Sequence, residues 1–182
     1  IPGLVGCISV LASFAMSLWV FMQVRGGNSY SPHYFDFINL KAFRIGFDYA
    51  IDPLSSLFLL IITGVGFLIH LYSTAYMHDE TNKGFAKYFA YLNLFVFSML
   101  LLVMGGNFVI MFIGWEGVGL CSYLLIGYWY KNTEYTDASK KAFIMNRIGD
   151  LGLLLAIFWL VIKTGHVDYK ELFTQATLSK LS

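Results

Sequence analysis

Five long apolar runs separated by short polar breaks set the layout of this chain. The first covers residues 2–24 and stops at Arg25-Gly26-Gly27-Asn28; the others cover about 54–76, 85–104, 107–130 and 138–163. Each is close to the roughly 20 apolar residues a helix needs to cross a hydrocarbon layer about 30 Å thick. The pattern predicts an all-α fold: a polytopic membrane helix bundle with about five transmembrane helices in one domain. Asp52 stands where it can cap the second helix, and Pro53 suits the first turn. Gly105-Gly106-Asn107 returns the chain from the third run straight into the fourth.

The polar segments carry less pattern. Within the loop 25–53, Phe35-Asp36-Phe37-Ile38 and Phe43-Arg44-Ile45-Gly46-Phe47 alternate over short stretches, which predicts a small extramembrane hairpin. Residues 165–182 form an amphipathic segment. Tyr72, Tyr76, Tyr88, Tyr91, Tyr128, Trp129 and Tyr130 gather near the ends of the runs, as interfacial aromatics do. Five cations (Lys83, Lys87, Lys131, Lys140, Lys141) fall on the side with short loops and six (Arg25, Lys41, Arg44, Lys163, Lys170, Lys180) on the side with long ones. Charge bias is read in short loops near helix ends, so the density predicts that Asn82 and Asn132 face the cytoplasm.

Composition sharpens the class. With 58% hydrophobic and 13% charged residues and a mean hydropathy of +0.66, the chain is predicted to be integral to a lipid bilayer. A net charge of +1 provides no field for nucleic acid, which is excluded as a partner. Cys7 and Cys121 lie inside apolar runs and read as small hydrophobes. No metal spacing, phosphate-binding loop or nucleophile elbow is found. The chain starts at Ile1 without a basic leader and stops in a polar segment, so it is expected to be a piece of a longer protein.

Candidate chemistry rests on charges inside the apolar runs. Glu116 is the only Asp, Glu, Lys or Arg between Tyr88 and Tyr130. Counting from Asn107, it lies about 14 Å into the fourth helix, with about 21 Å left to Tyr130. A charge at that depth costs about 2.5–3.5 kcal/mol on insertion scales, so it is expected to face protein or a wet cavity. Arg147 and Asp150, about 13 and 18 Å into the antiparallel fifth helix, fall in the same slab. Three residues apart on one face, they can neutralise each other. Their plain role is to lock helix packing; their functional role is to tune the proton affinity of Glu116 by changing partner. Gly114, Gly117, Gly119 and Gly127 permit close approach around Glu116. His70 is a possible proton relay, because its ordinary pKa lies near neutrality, although hydrogen-bonded packing also accounts for a lone histidine. Lys140 and Lys141 read as interfacial.

Several stretches resemble one family. Leu68-Ile69-His70-Leu71-Tyr72-Ser73-Thr74-Ala75-Tyr76-Met77, Phe89-Ala90-Tyr91-Leu92-Asn93-Leu94-Phe95, the run from Gly114-Trp115-Glu116-Gly117-Val118-Gly119 through Leu120-Cys121-Ser122-Tyr123, and Asn146-Arg147-Ile148-Gly149-Asp150 closely resemble chain L of respiratory complex I. This is the distal antiporter-like membrane subunit family of NADH:quinone oxidoreductase. The resemblance covers about residues 47–173 and implies a bundle of 14 or more helices, of which this chain holds the second to sixth. It implies a proton-translocating subunit without a cofactor of its own, with flavin and iron–sulfur clusters on partner subunits. The partners it implies are other complex I membrane subunits, above all the adjacent antiporter-like one. It further implies an energy-coupling membrane, a bacterial plasma membrane in preference to a mitochondrial inner membrane. In the family the glutamate at the position of Glu116 pairs with a lysine on the next helix, here after Ser182. The arginine and aspartate at the positions of Arg147 and Asp150 tune it. Related families leave other expectations open: the large subunit of a multisubunit Na+/H+ antiporter, or the membrane subunit of a proton-pumping hydrogenase or photosynthetic complex.

Overall fold

The computed structural model describes residues 2–40 and 43–174. Its elements, in order, are α1 (Pro2–Val24), β1 (His33–Leu40), β2 (Phe43–Asp48), α2 (Pro53–Tyr76), α3 (Asn82–Met104), α4 (Phe108–Ile126), α5 (Thr133–Thr164) and a single turn, α6 (Tyr169–Leu172). The first five helices are long and apolar enough to cross a membrane. They run alternately up and down, α1 against α2 and α3, α3 against α4, and α4 against α5.

Side-chain caps fix the helix starts. Asp52 accepts from the Ser55 amide at 2.6 Å while the Ser55 hydroxyl accepts from the Asp52 amide at 2.8 Å, a reciprocal box, with Pro53 at the first position. Thr81, Asn107 and Asn132 cap α3, α4 and α5. Three runs differ from their apolar limits by more than one residue, and the first is α3, which begins at Asn82, not 85, because Thr81 caps it. α5 begins at Thr133, not 138, because Asn132 caps it and the polar first turns continue the helix beyond the hydrocarbon. α4 ends at Ile126, not 130, because Gly127 closes it and residues 127–130 turn.

Buried hydroxyls such as those of Thr63 and Ser98 are answered within their own helices, as a membrane interior demands. Thr63 donates to the Leu59 carbonyl at 2.6 Å and Ser98 to the Leu94 carbonyl at 2.9 Å. Ser9 donates to Asn93 Oδ1 at 2.8 Å, tying α1 to α3. Many large apolar side chains of the helices, such as Leu68, Ile148 and Ile162, point outwards, which suits lipid or further helices.

The loop between α1 and α2 forms the expected antiparallel hairpin, with Phe35 stacked on Phe47 at 5.0 Å. Arg44 and Asp36 pair across it at 2.6 Å. Its end rests on the α3–α4 turn: the Gly106 amide donates to the Asp48 carbonyl at 2.8 Å, and a Cβ at Gly106 would stand 2.9 Å from that oxygen. Asn107 lies fully buried between the two, donating to the Gly46 carbonyl at 2.8 Å while its Oδ1 receives the Val109 and Ile110 amides.

The amphipathic segment after α5 turns at Gly165, whose φ of +80° favours glycine, and pairs at Asp168 with Asn107. Residues 175–182 of that segment lie outside the described residues. Burial pushes the Asp168 carboxyl up from its ordinary 3.8, and the charges of Asp48 and Glu171 push it further, while Asn107 and His166 partly oppose them. The folded corner therefore holds this proton more tightly than the unfolded chain. Its contribution to stability is greatest at acidic pH and declines as pH rises from 3.8 through the raised folded value. Hydrogen-exchange protection of residues 165–174 is expected to increase on mild acidification, and Asp168→Asn should make it insensitive to pH in that range.

Candidate functional site

The site lies between α4 and α5, and an antiparallel register builds it. Gly127, which closes α4, and Tyr123, Gly119 and Trp115 within it follow at steps of four and form one stripe. Along α5 they meet Ser139, Phe143, Asn146 and Asp150 in turn. At Gly127 a Cβ would stand 2.9 Å from Ser139 Oγ, so glycine sets the approach there; at Gly119 the nearest atom, Asn146 Nδ2, is 4.0 Å away. Gly114 and Gly117 serve the opposite face. A Cβ at Gly114 would come within 2.6 Å of Leu102 Cα, and one at Gly117 would meet Ser98 Oγ at 2.6 Å. These two positions seat α4 on α3 and so fix where Glu116 emerges.

Glu116 is eight residues into α4, about 12 Å from its start and about 15 Å from Ile126. Arg147 Nη1 donates to Glu116 Oε2 across the helix pair. The same Nη1 is 3.9 Å from Asp150 Oδ2, while Asp150 Oδ1 accepts from Trp115 Nε1 at 2.7 Å. The guanidinium also lies over the Phe143 ring at 4.8 Å, a contact that suits a delocalised cation. Glu116, Arg147 and Asp150 thus form a connected triad of acid, cation and acid. Their side-chain exposures differ, 23% for Glu116, 46% for Arg147 and 9% for Asp150, so the cation is the most freely placed member and Asp150 the most fixed. A cleft of about 410 Å³ opens beside Asp150, with Trp115, Ser122 and Asn146 among its walls.

Arg147 reaches across to Glu116 as well as towards its own-helix neighbour Asp150, and it is Trp115 that holds Asp150. Neither Trp115 nor Phe143 has a role in the sequence reading. The available signal is positional: Trp115 and Asp150 are the polar-tipped side chains at one register point of α4 and α5.

His70 is not part of this triad. It is fully buried where α2 meets α1 and α3, with its ring edge to face against Phe89 at 5.9 Å. Nδ1 lies 2.7 Å from the Gly66 carbonyl, which accepts only, so Nδ1 carries the proton and Nε2 is left as a bare acceptor. Nε2 has no hydrogen-bond partner among the described residues. Lys140 pairs with Asp137 at 3.6 Å, and Lys140 and Lys141 are exposed on the early turns of α5. Cys121 is buried and Cys7 half-buried. Among the described residues, no group of three or more His, Cys, Asp or Glu side chains could hold a metal ion.

Comparisons with known proteins agree with this architecture. Residues 37–89 match the family described as NADH-Ubiquinone oxidoreductase (complex I), chain 5 N-terminus. Residues 105–182 match NADH:quinone oxidoreductase/Mrp antiporter, TM. NADH-quinone oxidoreductase subunit L of Campylobacter jejuni is 55% identical over 133 residues, covering 72% of this chain and 22% of that protein. Subunit L of Mycobacterium tuberculosis is 41% identical over 174 residues, covering 93% of this chain and 27% of its own length. The chain therefore spans about a quarter of the curated relatives it matches. In fold it is similar to a chain of the Mrp complex from a Dietzia species, with a TM-score of 0.77 over 96% of this chain and 18% of that one, at 24% identity. Five membrane-spanning helices, the hairpin and both matched segments place the chain in the antiporter-like membrane-subunit family of NADH:quinone oxidoreductase, alongside its subunit L members.

Proposed function

We propose that this chain supplies part of the proton path of a redox-driven NADH:quinone oxidoreductase, with Glu116 as the proton carrier at mid-membrane. The observation that carries the reading is one guanidinium in reach of two carboxylates within the membrane span. With Arg147 on Glu116, its positive charge offsets that acid. With Arg147 drawn to Asp150, Glu116 loses that counter-charge, and the proton carriage proposed for Glu116 rests on this exchange. Trp115 holds Asp150 in place, so a modest swing of the Arg147 side chain moves one positive charge between the two acids. A lysine expected after Ser182 is the second cation of the scheme. His70, with its free Nε2, is a relay candidate on the far side of α3.

In this reading NADH oxidation and quinone reduction take place on partner subunits, which hold the flavin and iron–sulfur clusters. Neighbouring antiporter-like subunits continue the chain of charges. The relatives named subunit L favour this machine over a Na+/H+ antiporter, since the likeness to the Mrp complex, at 24% identity, speaks for fold alone. The test is purification of the full-length chain from its own membrane, expected to be bacterial. NADH-oxidising subunits should accompany it, and adding NADH to the reconstituted complex should move protons. Copurification with small antiporter subunits or hydrogenase subunits instead would replace the proposal with that alternative.

A further inference from the structure

The face that carries the short turns holds a second pocket, of about 560 Å³, between the turn entering α3 and the turn entering α5. Lys83, Lys87 and Lys131 line it, and all three are exposed. Among the described residues on its wall, the single carboxylate is Glu80, whose Oε1 accepts from Trp129 Nε1 at 2.6 Å. Lys87 Nζ lies 5.5 Å and 5.3 Å from the ring centroids of Tyr91 and Tyr130. Aromatic faces, not an acid, thus position that ammonium, and its charge remains available. The capping residues Thr81 and Asn132 stand on the same wall, so α3 and α5 both turn their positive ends towards the pocket.

Three ammonium groups and two helix starts against one carboxylate make a site for an anion. Its depth selects which anion. Tyr128, Trp129 and Tyr130 lie at the end of a membrane-spanning helix, the level where aromatic rings meet lipid headgroups. The anion concentrated at that level is the lipid phosphodiester. The geometry points to a binding site for the headgroup of an anionic phospholipid, with Lys83, Lys87 and Lys131 on the phosphate and Trp129 and Tyr130 against the glycerol and upper chains. A zwitterionic lipid brings its own cation into the same field and binds less well. The site is separate from the proton triad and does not depend on the redox partner.

The test uses the full-length protein in its native complex, delipidated and placed in phosphatidylcholine nanodiscs with increasing phosphatidylglycerol, and the lipid retained after washing is measured by mass spectrometry. A lysine near an anionic surface contributes about 1 kcal/mol, or about fivefold in affinity, so the triple variant Lys83→Gln, Lys87→Gln, Lys131→Gln should bind phosphatidylglycerol on the order of 100-fold more weakly. Lys131→Gln alone, on a turn outside the helices, should weaken it about fivefold and keeps the test available if the triple variant does not assemble. Equal retention by wild type and variants overturns the proposal, as does equal retention of phosphatidylcholine. Inorganic phosphate binding as tightly as phosphatidylglycerol in pure phosphatidylcholine nanodiscs overturns the lipid as its source.

Discussion

Glu116→Gln is expected to abolish most of the proton translocation that passes through this subunit while NADH oxidation with an artificial acceptor continues at its normal rate. Glutamine has nearly the same shape, and its side-chain oxygen can still accept from Arg147 Nη1, so the α4–α5 contact survives. What it lacks is a proton-exchanging acid. A proton forced past this depth without a carrier meets the cost of a bare charge in hydrocarbon, about 2.5–3.5 kcal/mol or more, which slows transfer on the order of 100-fold. Asp150→Asn is the informative companion. Its side chain can still meet Trp115 but no longer offers Arg147 a second negative charge, so Arg147 should stay on Glu116 and pumping should fall without loss of assembly. Assembly loss with normal pumping by the assembled fraction would assign Asp150 to packing alone. Proton-to-electron ratios in proteoliposomes read both variants.

The second large effect is structural and concerns two glycines five residues apart. Gly114→Ala places a Cβ within 2.6 Å of Leu102 Cα, a backbone atom that cannot rotate away, so α3 and α4 must separate. Overpacking of this kind costs about 1–3 kcal/mol, and with Glu116 only two residues away it also displaces the acid from Arg147. Gly119→Ala meets nothing nearer than Asn146 Nδ2 at 4.0 Å and should be accepted without loss. Membrane levels and thermal midpoints of the two purified variants give the comparison. Equal behaviour would mean that α4 does not seat on α3 in this way.

The same contrast marks how far sequence alone carries. Long apolar runs reveal helices because hydrocarbon imposes length and backbone satisfaction, and a single acid in such a run stands out by its cost. Apolar limits do not coincide with helix limits, however. α5 continues through Glu134, Thr136 and Asp137 because helix caps and not hydropathy end a helix in water. The depths of Glu116, Arg147 and Asp150 could be counted from the sequence, but their partners could not. Which acid Arg147 reaches depends on the antiparallel register of α4 and α5, set by Gly127 against Ser139 and Tyr123 against Phe143. For the same reason the role of Trp115 becomes visible only where its Nε1 meets Asp150. The four glycines around Glu116 were alike in sequence; packing divides them into two that seat α3, one that meets α5 and one with room to spare.

If Glu116 gains and loses a proton as Arg147 changes partner, carboxyl vibrations report that directly. In an NADH-minus-oxidised infrared difference spectrum of the intact complex, a protonated-carboxyl band is predicted that disappears in Glu116→Gln and loses amplitude in Asp150→Asn. The same band, undiminished in Glu116→Gln, would contradict the assignment of the moving proton to this residue.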